Sequence, residues 1–239
     1  VRLEVALHLV TASSNCMGNL LKVMQDASLN VKRVAQDVMA SAYGVLCDDE
    51  MDLGCVLVDI GAGTTKVTVF QKKAPIFSTS FPMAGDQITS DIALALHTPK
   101  QSAETIKLRH GTCSLTHFNE NNVIQIPMIG EKTSQQTTYS QLHSVITPRV
   151  EEIFQLVLDK IIEHDLLDKI PTGLIITGGS ARLDNIVKSA QRVFNTPVRV
   201  GFPKLHQQVN EVLDSPACAC VFGLSEWSYQ QQKHLETME

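Results

Sequence analysis

The sequence predicts an α/β fold, and three observations support this prediction. Residues 55–60 form a nearly continuous apolar run, as expected of a strand that is covered on both faces. A second buried strand is predicted at 173–177, directly before a Gly-Gly pair. Residues 140–167 place apolar side chains at helical spacing and predict one long helix. Because strands and helices alternate along the chain, an α/β architecture is favoured.

The composition argues against several classes of protein. The 239 residues are 44% hydrophobic, which is enough to bury a substantial core. The net charge is -5 and no run of Lys or Arg stands out, so the sequence does not predict a nucleic-acid-binding protein. No stretch approaches the roughly 20 consecutive apolar residues of a membrane span. The six cysteines include no CxxC pair, and we expect reduced thiols in a cytosolic core rather than a metal site.

The first residues already follow a strand pattern. Apolar residues alternate with others over 1–9, which predicts a strand with one buried face. Charges within this segment argue against a signal peptide. Because the chain begins with Val rather than Met, we expect a fragment, a processed form or a truncated reading frame.

The first half of the chain is predicted to contain two helices and a β-hairpin. Ser13 and Ser14 are suited to cap the first helix, and the second helix covers about 34–46. The acidic residues 48–50 are predicted to form a loop. A Gly-rich turn separates two apolar strands, which is the pattern of a hairpin. The elements that follow the turn are predicted as strands at 66–70 and 76–81 and a helix at 87–96.

The second half is predicted to alternate between helices and short strands. Thr98 is expected to cap a helix whose first position is Pro99. The polar segment 111–139 contains one predicted strand, at 123–126. Pro148 is expected to kink the long helix or to mark a new start. The last elements are predicted as a helix at 183–194, a strand at 197–200, a helix at 216–224 and a frayed polar tail over 230–239.

The motif with the clearest chemistry is the turn Asp-Ile-Gly-Ala-Gly-Thr-Thr at residues 59–65. Glycines let the backbone approach a ligand, and successive N–H groups in such a turn form an anion-binding nest. The hydroxyls of Thr64 and Thr65 add donors. Asp59, at the end of a buried strand, is well placed to hold Mg²⁺ through water. The functional interpretation is a phosphate-binding hairpin, and the alternative is an ordinary Gly-rich turn.

Two weaker signals accompany this turn. Gly178 and Gly179 follow a buried strand and allow the close approach of a flat ring or a ribose, but an ordinary strand-to-helix turn has the same pattern. Glu104 and Lys107 lie three residues apart on a predicted helix and therefore share one face. The alternative for this pair is a surface salt bridge.

The order of these motifs is more specific than each motif alone, and it resembles the superfamily of actin, sugar kinases and DnaK-type chaperones. More narrowly, the sequence resembles the FtsA family of bacterial cell-division proteins over residues 1 to about 224. The matching stretches are VDIGAGTT, AGDQIT, SDIA, TPKQSAETIKLRHG, ITPRVEEIF, GLIITGGSARL and VFNTPVRVG. The TPKQSAETIKLRHG and VFNTPVRVG segments are particular to FtsA within the superfamily.

The resemblance implies an actin-like (ribonuclease H-like) fold that is incomplete and lacks the segment with the first phosphate hairpin. For that reason we expect the chain alone to bind ATP weakly. The implied parts are the last strand of an FtsA-specific inserted subdomain (1–11), part of the first lobe (12–51), a nucleotide-binding second lobe (52–85 and 168–212), an inserted subdomain of the FtsZ-binding type (86–167), and a return helix with a polar tail (213–239).

The resemblance also implies that ATP and Mg²⁺ are the ligands. The second phosphate hairpin would consist of Asp59, Gly61, Ala62, Gly63, Thr64 and Thr65. Gly85 would approach the phosphates from the other side. Asp59 would hold the metal. Asp37 falls where many relatives carry an acidic residue facing Mg²⁺ and the attacking water, so Asp37 and Asp59 are the implied catalytic residues.

The adenosine side of the site is implied in the same way. Its residues would be Glu104, Lys107, Gly178, Gly179 and Ser180, with Arg182 reaching the base. The sequence departs from the family at two positions of the hairpin. Ala62 replaces a usual glycine, and Lys66 stands where an aspartate is common, so we expect a change in how the hairpin meets Mg²⁺ or phosphate.

The implied function is an ATP-binding scaffold of the division septum that polymerises like actin, links FtsZ filaments to the membrane and recruits other division proteins. It would be at most a weak ATPase. Its place would be cytoplasmic, at the inner face of the cell membrane at the division site. No segment of this chain predicts membrane binding, since the residues after Trp227 have no apolar face. For the FtsZ C-terminal tail, we expect Arg149 and Lys160 to edge a groove in the inserted subdomain.

Two alternatives remain open from the sequence. The first is a degenerate or truncated actin-fold fragment without ATP binding of its own. The second is another ATPase of the superfamily. A sugar kinase needs a substrate base and a sugar pocket, for which no constellation is found, and a chaperone needs a substrate domain after residue 239.

Overall fold

The computed structural model describes residues 2–5, 7–116, 122–128, 134–204 and 213–238. Parts of the predicted inserted subdomain, at 117–121 and 129–133, and of the predicted second lobe, at 205–212, lie outside the described residues, as do Val1, Ala6 and Glu239.

In the described residues, the α-helices are α1 (Ser14–Asp26), α2 (Asp37–Val45), α3 (Asp48–Leu53), α4 (Gly85–Ala95), α5 (Lys100–His110), α6 (Tyr139–Glu163), α7 (Ile186–Phe194) and α8 (Ala219–Met238). The strands are β1 (Cys55–Ile60), β2 (Thr65–Gln71), β3 (Ala74–Phe81), β4 (Val123–Pro127), β5 (Ser134–Thr138), β6 (Leu174–Thr177) and β7 (Val198–Val200). Short 3-10 turns cover Gly179–Arg182 and Pro216–Cys218.

Five strands form a mixed sheet in the order β3-β2-β1-β6-β7. β1 pairs antiparallel with β2 and parallel with β6, and β6 pairs parallel with β7. The predicted α/β class and the predicted hairpin at 59–65 are therefore confirmed. β4 and β5 form a separate antiparallel pair.

The two faces of the sheet are covered by different helices. Side chains alternate along β1, so Val56, Val58 and Ile60 pack into the large core with α4, α6 and α7. Leu57 belongs to a smaller core on the opposite face, with α2 and the start of α8. Asp59 shares that second face by the same alternation, which directs its carboxylate towards α2.

Helices α2 and α8 cross at very short distance because glycines lie at the crossing. A Cβ atom built on Gly223 would lie 1.7 Å from the carbonyl oxygen of Ala40, and one on Gly44 would lie 2.6 Å from that of Ala219. Only glycine permits this approach. On its other side, α2 is joined to the end of β1 by a hydrogen bond from Ser41 to Asp59.

The acidic segment 48–50 was predicted as a loop, and that prediction is wrong. It begins α3, where the carboxylate of Glu50 accepts a hydrogen bond of 2.9 Å from the backbone N–H of Cys47. Acidic side chains are favourable in a first helical turn because they meet the positive end of the helix dipole. Glu50 also accepts two hydrogen bonds of 2.6 Å from Arg199 of β7, which ties α3 to the sheet edge.

The predicted strand at the beginning of the chain is not formed. The described residues among 2–13 have no regular structure, and Leu3 and Leu9 are 86% and 81% exposed. Alternation alone does not make a strand, because its N–H and C=O groups need a neighbouring strand. The proposed assignment of 1–11 as the last strand of an inserted subdomain therefore has no support from this geometry.

Other differences concern the limits of elements. The N-cap of α5 is Pro99 rather than Thr98, whose hydroxyl instead donates to the carbonyl of Pro127 at 2.6 Å. Pro148 lies inside α6 without ending it. The tail predicted to fray continues as α8 to Met238. The polar strand β5 was not predicted, because Ser-Gln-Gln-Thr-Thr shows no apolar alternation.

Candidate functional site

Two glycine-containing turns meet at one edge of the sheet. β1 and β6 are parallel neighbours, so their carboxyl ends lie side by side, with Asp59 opposite Thr177. Gly178 has a positive φ of 90° and lies so close to β1 that a Cβ atom would be 2.4 Å from Oδ1 of Asp59. The hydroxyl of Ser180 donates to the carbonyl oxygen of Gly61 at 3.0 Å. The turns at 61–64 and 178–180, far apart in sequence, thus form one continuous wall.

The hairpin turn is held against the first turn of α4. The backbone N–H of Gly85 donates to the carbonyl of Gly61 at 3.1 Å, and that of Asp86 donates to the carbonyl of Ala62 at 2.7 Å. Thr65 is fully buried, and its hydroxyl donates to the carbonyl of Met83 at 2.7 Å. The hydroxyl of Thr65 therefore has its hydrogen-bond partner inside the protein, whereas Thr64 is exposed at the turn.

Lys107 joins α5 to the start of α4. Its ammonium donates to the carbonyl of Gly85 at 3.0 Å and to the hydroxyl of Thr89 at 2.8 Å, and it lies 2.8 Å from a carboxylate oxygen of Glu104. The residue is only 7% exposed. These three partners match the three N–H groups of a lysine, so Lys107 holds the wall of the site in place.

Glu104 is the more accessible member of this pair. Thr89 also donates to its carboxylate. Burial alone would raise the pKa of Glu104, but the hydrogen bonds from Lys107 and Thr89 outweigh it and hold the pKa below 4.5. Glu104 is therefore an ionised hydrogen-bond acceptor at neutral pH.

A cavity of about 310 Å³ lies between the two turns and α5. The predicted residues that line it are Gly61, Ala62, Gly85, Glu104, Lys107, Gly179, Ser180 and Arg182. The lining residues that sequence reasoning missed are Asp86, Leu108, Arg109, His110, Gly111, Leu183 and Asp184. Several of these fall in the stretches TPKQSAETIKLRHG and GLIITGGSARL, so the quoted motifs already contained a signal for them.

Two glycines of these turns have no steric role in the fold itself. Gly63 and Gly179 both lack a positive φ, and a Cβ atom on either would find no atom within 4 Å. Neither the backbone conformation nor packing therefore requires glycine at these positions. Of the two, Gly179 lines the cavity, so its missing side chain keeps space open between the turns, which fits a molecule that approaches the backbone closely.

The carboxylates Asp37 and Asp59 form a separate cluster that does not line the cavity. Ser41 donates to Asp59 at 2.7 Å, and Lys66 forms an ion pair with Asp37. Burial raises the pKa of Asp59, and Asp37 adds to this effect, while Ser41 and Lys66 oppose it. Among the described residues, no group of three or more His, Cys, Asp or Glu side chains is arranged to hold a metal ion.

The two cations predicted to edge a peptide groove are already paired. Arg149 of α6 donates to both carboxylate oxygens of Asp91 in α4, at 2.6 and 3.2 Å, and also contacts Glu152. Lys160 contacts Glu163 one turn further along its own helix. These contacts do not support the prediction that Arg149 and Lys160 are available to an acidic peptide.

The sheet order and the site between the two turns define an actin-like fold. The described fold is similar to that of MreB5 of Spiroplasma citri bound to ADP, with a TM-score of 0.78 and 19% identity over 94% of this chain and 68% of that one. It is also similar to a subunit of the MamK double helical filament, with a TM-score of 0.63 and 16% identity over 90% of this chain and 66% of that one. The predicted actin-like fold is confirmed.

The sequence comparison narrows this class to one family. The family model of the cell division protein FtsA matches residues 56–223. FtsA of Pseudomonas aeruginosa is 36% identical over 97% of this chain, and FtsA of Escherichia coli K12 is 31% identical over 98%. The chain belongs to the FtsA family. It spans 56% and 57% of the length of these two relatives.

Proposed function

We propose that this chain carries the nucleotide-binding elements of an actin-like division scaffold and that ATP is its ligand. The observation that carries the proposal is the cavity between the turns at 61–64 and 178–180, which the sterically dispensable Gly179 keeps open. Structures of MreB5 bound to ADP and to AMPPNP support a nucleotide in a protein of similar fold.

The hydrogen-bonding groups around the cavity support one orientation of the nucleotide. The phosphates belong at the 61–64 turn, where the exposed Thr64 and the backbone N–H groups around Gly63 are hydrogen-bond donors. The adenosine belongs towards Glu104 and Arg182 at the α5 side of the cavity. The ionised carboxylate of Glu104 is a suitable acceptor for ribose hydroxyls.

Magnesium enters this proposal as the ion that the phosphates of ATP carry. Asp59 already accepts a hydrogen bond from Ser41, and Asp37 is paired with Lys66. The two carboxylates together with a lysine do not fit a site that holds a divalent cation by itself. For the same reason Asp37 is not free to orient an attacking water, so we expect at most weak ATP hydrolysis.

The cellular part of the proposal follows from family membership. We propose that the complete protein binds the FtsZ C-terminal tail, self-associates into filaments, recruits other division proteins and is cytoplasmic, located peripherally at the membrane of the division site. The MamK filament supports self-association for a similar fold. The segment 86–167 remains the proposed region for the FtsZ tail, without a role for Arg149 or Lys160. Within the described residues, no helix has the length and apolar character needed to cross a membrane.

The test of nucleotide binding uses the open space at Gly179. ADP and ATP are titrated into the wild-type chain in a calorimeter, and into a Gly179→Val variant whose new side chain fills the cavity. We expect saturable binding that weakens by at least about tenfold, or about 1.4 kcal/mol, in the variant. Because a Cβ atom at Gly179 meets no neighbour, circular dichroism and thermal unfolding should remain as in the wild type.

The matched control is Gly18→Val in α1, another glycine with no atom within 4 Å of a built Cβ. Gly18 is far from the site in sequence and belongs to a helix without buried residues. Its variant should bind nucleotide as the wild type does. Absence of saturable binding to the wild-type chain, or equal affinity of Gly179→Val and wild type, would contradict the proposal.

A further inference from the structure

A compact polar cluster lies beneath the hairpin turn, on the face of the sheet covered by α2. Asp37 and Ser41 are one helical turn apart on α2 and therefore share one face of that helix. Asp59 and Lys66 are directly opposite each other in the β1–β2 ladder. Cross-strand partners project to the same side of a sheet, so all four side chains meet in one layer.

The contacts in this cluster place a cation among its two carboxylates. The ammonium of Lys66 pairs with Asp37, and its side chain is 29% exposed. The hydroxyl of Ser41 donates to Asp59 at 2.7 Å. Lys66 and Asp37 both act electrostatically on Asp59, with opposite signs. Two negative charges and one positive charge thus share a partly buried space beneath the hairpin turn.

A hydrated divalent cation at this position would need the same carboxylates. Mg²⁺ is held in proteins through one or two carboxylates together with substrate phosphates, and it keeps several waters. An ammonium that already pairs with Asp37 removes one of these ligands and repels an incoming dication. We propose that Lys66 takes the place of a divalent cation between Asp37 and Asp59, so that this chain has no metal site of its own there.

This inference has a consequence that rests on the proposed function. The positive charge that a metal would bring to the two carboxylates is here supplied by a residue of the chain. Nucleotide affinity therefore depends little on Mg²⁺ in the wild type. Removal of the ammonium leaves two carboxylates without their cation, which restores a need for a divalent ion.

The first experiment needs no nucleotide. Mn²⁺ is titrated into the full chain and followed by electron paramagnetic resonance, which reports free and bound ion. We expect Lys66→Gln to bind one more equivalent of Mn²⁺ than the wild type, and the double variant with Asp37→Asn to lose it again. Lys160→Gln is the matched control, since it also removes an ion-paired lysine, on α6, and it should behave as the wild type does.

Two results of this titration would overturn the inference. One is a Mn²⁺ site in the wild type that Asp37→Asn abolishes. The other is a Lys66→Gln variant that gains no bound ion although circular dichroism shows it folded.

The second experiment measures the affinity for a fluorescent ADP derivative in excess Mg²⁺ and in excess EDTA. We expect a change below about threefold in the wild type and above about tenfold in Lys66→Gln. Wild-type binding that occurs only with Mg²⁺ would refute the inference and leave the proposed function intact. Wild-type binding in neither solution would refute the proposed function, and the Mn²⁺ titration would still decide the role of Lys66.

Discussion

The hydroxyl of Ser180 donates a hydrogen bond of 3.0 Å to the carbonyl oxygen of Gly61, a residue 119 positions earlier in the chain. The same carbonyl accepts a second bond, of 3.1 Å, from the backbone N–H of Gly85. One oxygen atom thus holds together the hairpin turn, the first turn of α4 and the turn after β6. The shape of the cavity depends on this junction.

Removal of the Ser180 hydroxyl should weaken that junction without breaking it. Ser180→Ala loses one hydrogen bond, and the Gly61 carbonyl keeps the bond from Gly85, so we expect a loss of about 1 kcal/mol in the free energy of unfolding. Urea unfolding measures this value. The control is Ser144→Ala. The hydroxyl of Ser144 donates at 2.8 Å to a carbonyl on an exposed part of α6, so its removal should change the free energy of unfolding by less than about 0.5 kcal/mol. Equal losses in the two variants would contradict this role of Ser180.

Substitution by alanine should destabilise the fold at Gly178 but not at the adjacent Gly179. In Gly178→Ala the new methyl group would meet Oδ1 of Asp59 at 2.4 Å and the carbonyl of Ile60 at 2.5 Å, in a backbone with φ of 90°. We expect a loss of about 2 kcal/mol or more in the free energy of unfolding. Gly179→Ala meets no atom and should lie within about 0.5 kcal/mol of the wild type. Urea denaturation of both variants tests this, and similar midpoints would refute it.

The ion pair of Glu104 with Lys107 should contribute to stability only above acidic pH. Because the pKa of Glu104 is held below 4.5 in the folded chain, the unfolded chain binds the proton more readily. The contribution is present above about pH 4.5 and is lost as the pH falls through the folded pKa. Glu104→Gln should therefore show a smaller decrease of unfolding free energy between neutral and acidic pH, measured by urea titrations at several pH values. An unchanged pH dependence would show that this carboxylate keeps its ordinary pKa.

The two ion-paired cations of α6 should differ in their effect on stability. Arg149 makes a two-pronged contact with Asp91 across two helices, and both side chains are 27% exposed. Arg149→Ala should cost about 1 to 2 kcal/mol of unfolding free energy, since geometry and partial burial favour such a pair. Lys160→Ala breaks an exposed pair on one helix and should cost less than about 0.5 kcal/mol.

A double-mutant cycle with Asp91→Ala isolates the Arg149 contact. Coupling of about 0.5 kcal/mol or more between the two positions is expected. Zero coupling in this cycle would mean that the contact does not hold α4 against α6. Arg149 would then again be a candidate for binding the FtsZ tail.

The cysteines should divide into a reactive and an inert group. Burial raises the pKa of Cys55 and of Cys113 to about 12, so both remain neutral thiols at ordinary pH. Cys16 and Cys47 are exposed. A thiol reagent at slightly alkaline pH should modify the exposed pair quickly and the buried pair only after unfolding, as mass spectrometry of digested protein would show. Rapid labelling of Cys55 in the folded chain would contradict the packing of β1.

The same raised pKa values predict an alkaline limit of stability. Because the folded thiols ionise at higher pH than the usual value of 9.0, their contribution is full below about pH 9 and decreases as the pH rises towards 12. Cys113→Ala, compared with Cys16→Ala, should reduce this alkaline decrease in urea titrations.

The sequence by itself determined the fold class, the hairpin at 59–65 and the family. These features are local or ordered along the chain: a continuous apolar run specifies a strand buried on both faces, and glycine-rich turns specify where it ends. Motif order then distinguishes FtsA from other actin-like families. The helical spacing of apolar residues also predicted α6 correctly as one long helix, and Pro148 lies inside it.

Only the tertiary structure decided which site residues come together. The sequence placed Asp59, Thr65 and Lys107 in one ligand site. Lys107 does line the cavity, although its ammonium has three partners inside the protein, whereas Thr65 is buried and donates to Met83. Asp59 points to the opposite face of the sheet, where Ser41 meets it. The hydrogen-bond partner of a hydroxyl or an ammonium is often distant in sequence. No local sequence pattern therefore predicts that partner. The pairing of Lys66 with Asp37, 29 residues apart, was decided in the same way by the crossing of α2 over the hairpin.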